Sequence, residues 1–189
     1  NVGTAIVTVK TIDGEKVDNC EIKVLPRAVE SICLDQSNIE LRIGEETVIT
    51  ATVIPADATN KNIIWTSSNP AVAEVVDGKV KAVSEGTTIV TVSAEDGGVS
   101  ASCGVTVYPW AVESVTLDKT EVELFQGEEC VLTATVFPAN ATNKEVSWIS
   151  SDENVATVIE GKVAALNPGQ ATITVVTENG GKTAACQVT

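Results

Sequence analysis

The feature that most constrains this chain is a ruler of 83 residues. Cys20, Cys103 and Cys186 are spaced by that interval, and so are Gly3, Gly86 and Gly169, Gly44 and Gly127, and Trp65 and Trp148. The loop Pro55-Ala56-Asp57-Ala58-Thr59-Asn60-Lys61 returns as Pro138-Ala139-Asn140-Ala141-Thr142-Asn143-Lys144. Periodicity of this kind marks a tandem array whose unit is one supersecondary module. Each unit has enough chain for one modest core. The reading is two whole units, 27–109 and 110–189, preceded by residues 1–26, which match only the last third of a unit. The chain is thus expected to be a piece of a longer protein.

Within a unit the pattern has period two. Val115-Thr116-Leu117 and Glu121-Val122-Glu123-Leu124 alternate polar and apolar, as half-buried strands do. One long strand is expected over 130–137, ended by Pro138, which cannot donate to a ladder. Further strands follow at 146–149, 155–159, 162–166, 171–176 and 183–188. The turns between them are marked by Asp77-Gly78, Glu160-Gly161 and Asn179-Gly180. No amphipathic helical pattern occurs. A tryptophan in the middle of the third main strand, Trp65 or Trp148, fits the core of an immunoglobulin-like sandwich. The fold class is all-β: tandem immunoglobulin-like β-sandwiches, each antiparallel.

The residues that carry a family resemblance run from Trp65-Thr66-Ser67-Ser68-Asn69-Pro70-Ala71-Val72-Ala73 through Gly78-Lys79-Val80-Lys81-Ala82 to Gly86-Thr87-Thr88-Ile89. The second copy has Trp148-Ile149-Ser150-Ser151-Asp152 and Gly161-Lys162-Val163-Ala164-Ala165, and both units begin with Ser-x-x-Leu-Asp. In these the chain resembles the bacterial immunoglobulin-like domains of group 2. The resemblance implies spacer or adhesion modules of bacterial and phage surface proteins, some of them beside catalytic domains. It implies an extracellular or cell-surface location on a bacterium.

Composition narrows the chemistry. With 26 acidic and 12 basic residues the chain lacks the cations that nucleic acid or an anionic lipid surface demands. No apolar run is long enough to insert in a membrane. Without histidine, a serine or cysteine nucleophile lacks its usual base, and no Cys-x-x-Cys pair suggests zinc. The chain is therefore read as no enzyme, with no catalytic residue and no cofactor. Calcium is the ion that its acidic turn residues Asp13, Glu95, Asp96, Asp152 and Glu153 are able to hold, but none forms a spaced ligand run.

Several residues remain as candidates. Strand parity turns Cys20, Cys103 and Cys186 inward as small hydrophobes. Cys130 and Cys186 both face inward in the second unit, as a disulfide or as two thiols; Thr47 takes the place of Cys130 in the first unit. Trp65 and Trp148 are assigned to the cores, with a sugar-stacking platform as the alternative. Tyr108 and Trp110 lie between units, as interface aromatics or a ligand platform. The sequon Asn140-Ala141-Thr142 reads as a loop coincidence. Finally, Ala5, Val7, Val9, Cys20, Ile22 and Val24 form one apolar face of a hairpin, and a lone hairpin is marginal in water. That face is expected to be covered by the rest of its unit, by the adjoining sandwich, or by self-association through residues 1–26. The function expected is a non-catalytic extracellular spacer or adhesion module. The alternatives are a module that binds a glycan or protein ligand and an accessory domain of a secreted enzyme.

Overall fold

The computed structural model describes residues 2–96 and 98–189, which divide into two compact units, 1–107 and 108–189. All regular structure in the described residues is β. The first unit begins with a hairpin of β1 (Gly3–Lys10) and β2 (Val17–Val24), paired from Gly3↔Val24 to Lys10↔Val17. Its sandwich contains β3 (Ser31–Leu34), β4 (Asn38–Arg42), β5 (Glu46–Val48), β6 (Ala51–Ile54), β7 (Ile63–Ser67), β8 (Ala73–Val76), β9 (Lys79–Ala82), β10 (Gly86–Ala94) and β11 (Ser100–Tyr108). One layer is the sheet β4-β11-β10-β7; the other is β5-β9-β8, with β3-β6 as a separate pair. Alternation puts Val90, Cys103 and Val105 of the first layer against Val80 and Ala73 of the second, with Ile49 between strands, all 0–2% exposed.

The second unit repeats this plan with β12 (Ser114–Leu117), β13 (Glu121–Val122), β14 (Glu129–Val131), β15 (Ala134–Phe137), β16 (Val146–Ser150), β17 (Ala156–Ile159), β18 (Lys162–Ala165), β19 (Ala171–Thr177) and β20 (Thr183–Val188). Its sheets are β13-β20-β19-β16, β14-β18-β17 and β12-β15, around Leu132, Val163, Ile173, Cys186 and Val188.

Two features depart from the sequence reading. The single strand expected over 130–137 is two, β14 and β15, because the chain changes sheets at Leu132-Thr133. Leu132 N–H donates to the Gly161 carbonyl (2.9 Å), while Thr133 N–H donates to the Asp118 carboxylate (2.7 Å). Asp118 N–H in turn donates to the Thr133 carbonyl (3.1 Å), so the aspartate holds the crossing open from both sides. Asp35 does the same at Thr50 in the first unit, at 2.8 and 3.1 Å. The second departure is a parallel pair in an otherwise antiparallel sandwich: β13 runs alongside β20, with Glu121↔Gln187 and Val122↔Val188.

The expected cover of the first hairpin is not found in this chain. Residues 2–28 are all exposed, Val7 at 54% and Val9 at 66%, so the adjoining sandwich does not shield that face.

Candidate functional site

The motif residues act on the backbone. Ser68 Oγ accepts from Ile89 N–H (3.0 Å), and Ser151 Oγ accepts from Thr172 N–H (2.8 Å), so each pins the start of the long closing hairpin to the tryptophan strand. Asn69 Oδ1 accepts from Ala71 N–H (3.2 Å) and Asp152 Oδ1 from Asn154 N–H (2.9 Å), closing side-chain turns before β8 and β17. Glu45 and Glu128 accept from the backbone of Arg42 (2.7 Å) and Phe125 (2.9 Å). In the repeated loop, Thr59 Oγ1 accepts from Arg27 N–H (2.8 Å), and Thr142 Oγ1 from Trp110 N–H (2.8 Å). The sequon's threonine therefore ties down the entry to the second unit. Most of these residues were visible as a repeat, but their role was not: only the structure shows which amide each one meets.

Trp65 and Trp148 pack against the cores yet are half-buried rather than enclosed. Trp148 lines an open groove of about 680 Å³ with Val131, Leu132, Val158 and Ile159, at the place where β14 gives way to β15. Val131 is 58% exposed and Ile159 74%, so apolar side chains stand at the rim of this groove. A second cleft, of 240 Å³, is bounded by Leu124, Phe125, Val155, Pro168 and Val188, and Phe125 stands where the first unit has Arg42. Tyr108 ends β11 and is exposed; Trp110 is half-buried.

The cysteines are all free. Cys130, half-buried on β14, and Cys186, buried on β20, stand in opposite sheets and belong to the same apolar cluster. Burial pushes the Cys186 thiol above its ordinary range, and the neighbouring Cys130 pushes it further; burial also raises Cys130. Cys103 is raised by burial and then by Asp35. Raised thiols are poor nucleophiles, as suits core packing.

The acidic turn residues meet local partners or solvent. Glu95 accepts from the Asn62 (2.7 Å) and Asn60 (3.4 Å) amides, which lower its carboxyl in that order. Asp13 is lowered chiefly by the Thr11 hydroxyl and the Glu15 amide. Asp152 serves its own turn, and Asp96 and Glu153 are exposed. Among the described residues no three histidine, cysteine or acidic side chains converge as a metal-ligand set. Among them too, no helix is long and apolar enough to cross a membrane.

The family comparison agrees with this fold. The model of the bacterial Ig-like domain (group 2) matches residues 28–105 and again 111–188. The "Ig-like virion protein" of Serratia phage KSP90 is 38% identical over 168 residues, covering 85% of this chain and 65% of that protein. The "Alpha-L-arabinofuranosidase" of Bifidobacterium longum is 34% identical over 116 residues, 60% of this chain but 11% of the enzyme. The "Kappa-carrageenase" of Pseudoalteromonas carrageenovora is 51% identical over 73 residues, 38% of this chain and 18% of the enzyme. This chain thus spans less than two thirds of each of these relatives. Among solved structures, domains 4 and 5 of the S-layer protein SbsC align over 85% of this chain and 98% of theirs, at 20% identity and a TM-score of 0.42. With two matched copies that take up most of its length, the chain belongs to the bacterial Ig-like domain family, group 2.

Proposed function

We propose that the chain is a non-catalytic spacer, two rigid sandwiches that hold another domain away from a bacterial cell or virion surface. One observation carries this reading. Four pairs of polar residues that both units share, Asp35 and Asp118, Glu45 and Glu128, Thr59 and Thr142, and Ser68 and Ser151, bind backbone amides of their own unit. At these positions the repeat preserves a shape. Other exposed positions differ between copies, as with Arg42 and Phe125 or Asp57 and Asn140. Pro26 and Pro109 stand at equivalent junctions and restrict the backbone there. A role outside the cell fits the relatives: one named as a virion protein, and two named as an arabinofuranosidase and a carrageenase, of which the shared segment is a minor part.

Stretching single molecules between their termini tests the reading. A spacer of this design gives two separate unfolding steps of about 25 nm each, the extended length of ~80 residues less the folded length. A single step or a featureless extension contradicts it.

A glycan-binding module is the second reading, favoured by the groove beside Trp148. Titrating arabinan and carrageenan oligosaccharides while following tryptophan fluorescence separates the two. A saturable change lost in Val131→Glu supports binding; a flat titration supports the spacer.

A further inference from the structure

The turn that joins β19 to β20 carries a grouping that the two units do not share. Asn179 is followed by Gly180, and no other asparagine of the chain precedes a glycine. Both residues are exposed. The first unit has Asp96 in place of Asn179 and Val99 in place of Lys182. The turn is anchored at its base, where Thr177 Oγ1, in a residue 2% exposed, accepts from Lys182 N–H (2.9 Å) and donates to the Asn179 carbonyl (2.8 Å). Glu178 N–H donates to the Glu145 carbonyl (2.9 Å). Within this frame three groups meet. Val112 N–H, 67 residues earlier in the chain, donates to Asn179 Oδ1 at 3.5 Å. Gly180 N–H donates to no group among the described residues. Lys182 Cε lies 3.7 Å from where a Cβ on Gly180 would stand, which brings the ammonium end of that side chain beside the same peptide.

We propose that Asn179-Gly180 is a self-modifying site, at which the folded chain closes a succinimide and releases ammonia with the help of the Val112 amide and the Lys182 cation. The Gly180 nitrogen gives its proton to solvent base and attacks Asn179 Cγ, forming a C–N bond. The bond from Cγ to Nδ2 breaks, and that nitrogen takes up a proton and leaves as ammonia. Water then opens the ring, at Cγ to leave aspartate or at the Asn179 main-chain carbonyl to leave isoaspartate, with no change of oxidation state. Each neighbour serves a step. An unpaired amide gives up no hydrogen bond within the protein when it becomes the nucleophile. Glycine has no Cβ to obstruct the close approach of backbone to side chain. Negative charge gathers on Oδ1 as the new bond forms, where the Val112 amide is already aimed. The Lys182 cation favours the amide anion, an effect that salt weakens. Aspartate is the residue that the first unit already has at this place, whereas isoaspartate inserts an additional atom into the main chain of the turn.

The test incubates the full chain, folded, at mildly alkaline pH and low salt. Each asparagine is followed by peptide mass spectrometry, with electron-transfer fragmentation to tell isoaspartate from aspartate. Asn179 should convert at least about tenfold faster than the exposed Asn140 and Asn154, which precede residues with a Cβ. Gly180→Ala should slow it by about tenfold for the same reason. Lys182→Gln, a change confined to an exposed side chain, should slow it about threefold at low salt and leave the rate unchanged in high salt. Unfolding in urea removes the Val112 and Lys182 contacts, so conversion there should be slower than in the folded chain. Conversion in the folded chain that is no faster than in urea overturns the proposal, because the dipeptide alone then accounts for the reaction. A rate that Gly180→Ala leaves unchanged, or that Lys182→Gln leaves unchanged at low salt, overturns it as well.

Discussion

The indole of Trp148 lies against Gly161: a methyl group on that glycine would come within 3.1 Å of the indole Cζ2 and 2.5 Å of the Leu132 carbonyl oxygen. The turn glycine is at φ +81°, a conformation that side chains with a Cβ rarely adopt. One residue thus answers two demands, the hairpin turn between β17 and β18 and the seat of the tryptophan. Trp65 and Gly78 stand in the same relation in the first unit. Gly161→Ala is expected to destabilise the second unit by about 2 kcal/mol or more, since strain and contact act together. Trp148→Ala is expected to cost about 3 kcal/mol, the lower end for such a truncation because one side of the ring borders a groove. Urea midpoints that both substitutions leave unmoved would contradict this seat.

Glu160, the residue before that glycine, is at φ +50°, and Asp77 is at φ +49° in the equivalent turn. Asparagine and glycine together suit a turn with both central residues left-handed better than glutamate and glycine do. Glu160→Asn should therefore stabilise the second unit, by roughly 0.5–1 kcal/mol. Thermal unfolding checks it, and a lower Tm would count against the turn assignment.

Asp118 holds the strand crossing by accepting from Thr133 N–H. Asp118→Ala leaves that amide without its partner and should cost about 1–2 kcal/mol, whereas Asp118→Asn keeps an acceptor oxygen and should cost much less. Equal losses in the two variants would show that charge, not the hydrogen bond, matters at this place.

The Lys79 ammonium, 2.6 Å from Glu46, holds that carboxyl below its ordinary value of 4.5, first by the hydrogen bond and then by charge. A depressed folded pKa gives stability that is complete above the ordinary value and lost as pH falls through the folded one. Glu46→Gln should therefore be less stable than the parent at pH 7, with the gap closing below about pH 4.5 and shrinking in high salt. Denaturation curves at pH 7 and pH 3 decide it; a gap that widens in acid reverses the sign.

Cys20 and Cys33 are exposed, while Cys103 and Cys186 are buried with thiols raised by burial. In the folded chain a maleimide should label the first two quickly and the last two only through unfolding. In denaturant without reductant, five thiols should react. Three would mean that Cys130 and Cys186 had joined in a disulfide across the sheets.

Sequence alone determined the length of the unit, the all-β class, the hairpin turns and the inward parity of Cys103 and Cys186. Those properties are local: alternation of period two decides which side chains share a face, and residues such as Gly78 and Gly161 mark turns by their own backbone freedom. The tertiary structure decided what depends on partners far along the chain. Nothing near Leu132 announces that the strand changes sheets; the aspartate that holds the crossing is 15 residues away from Thr133. The parallel pairing of β13 with β20 joins residues that no local pattern relates. The half-burial of Trp148 follows from a groove that exists only once two sheets are stacked. The hairpin shows the division most clearly. Its register is written in its alternation and is the same in all three copies, but whether its apolar face is buried depends on strands outside it, because burial is a property of the packed layers and not of the strand.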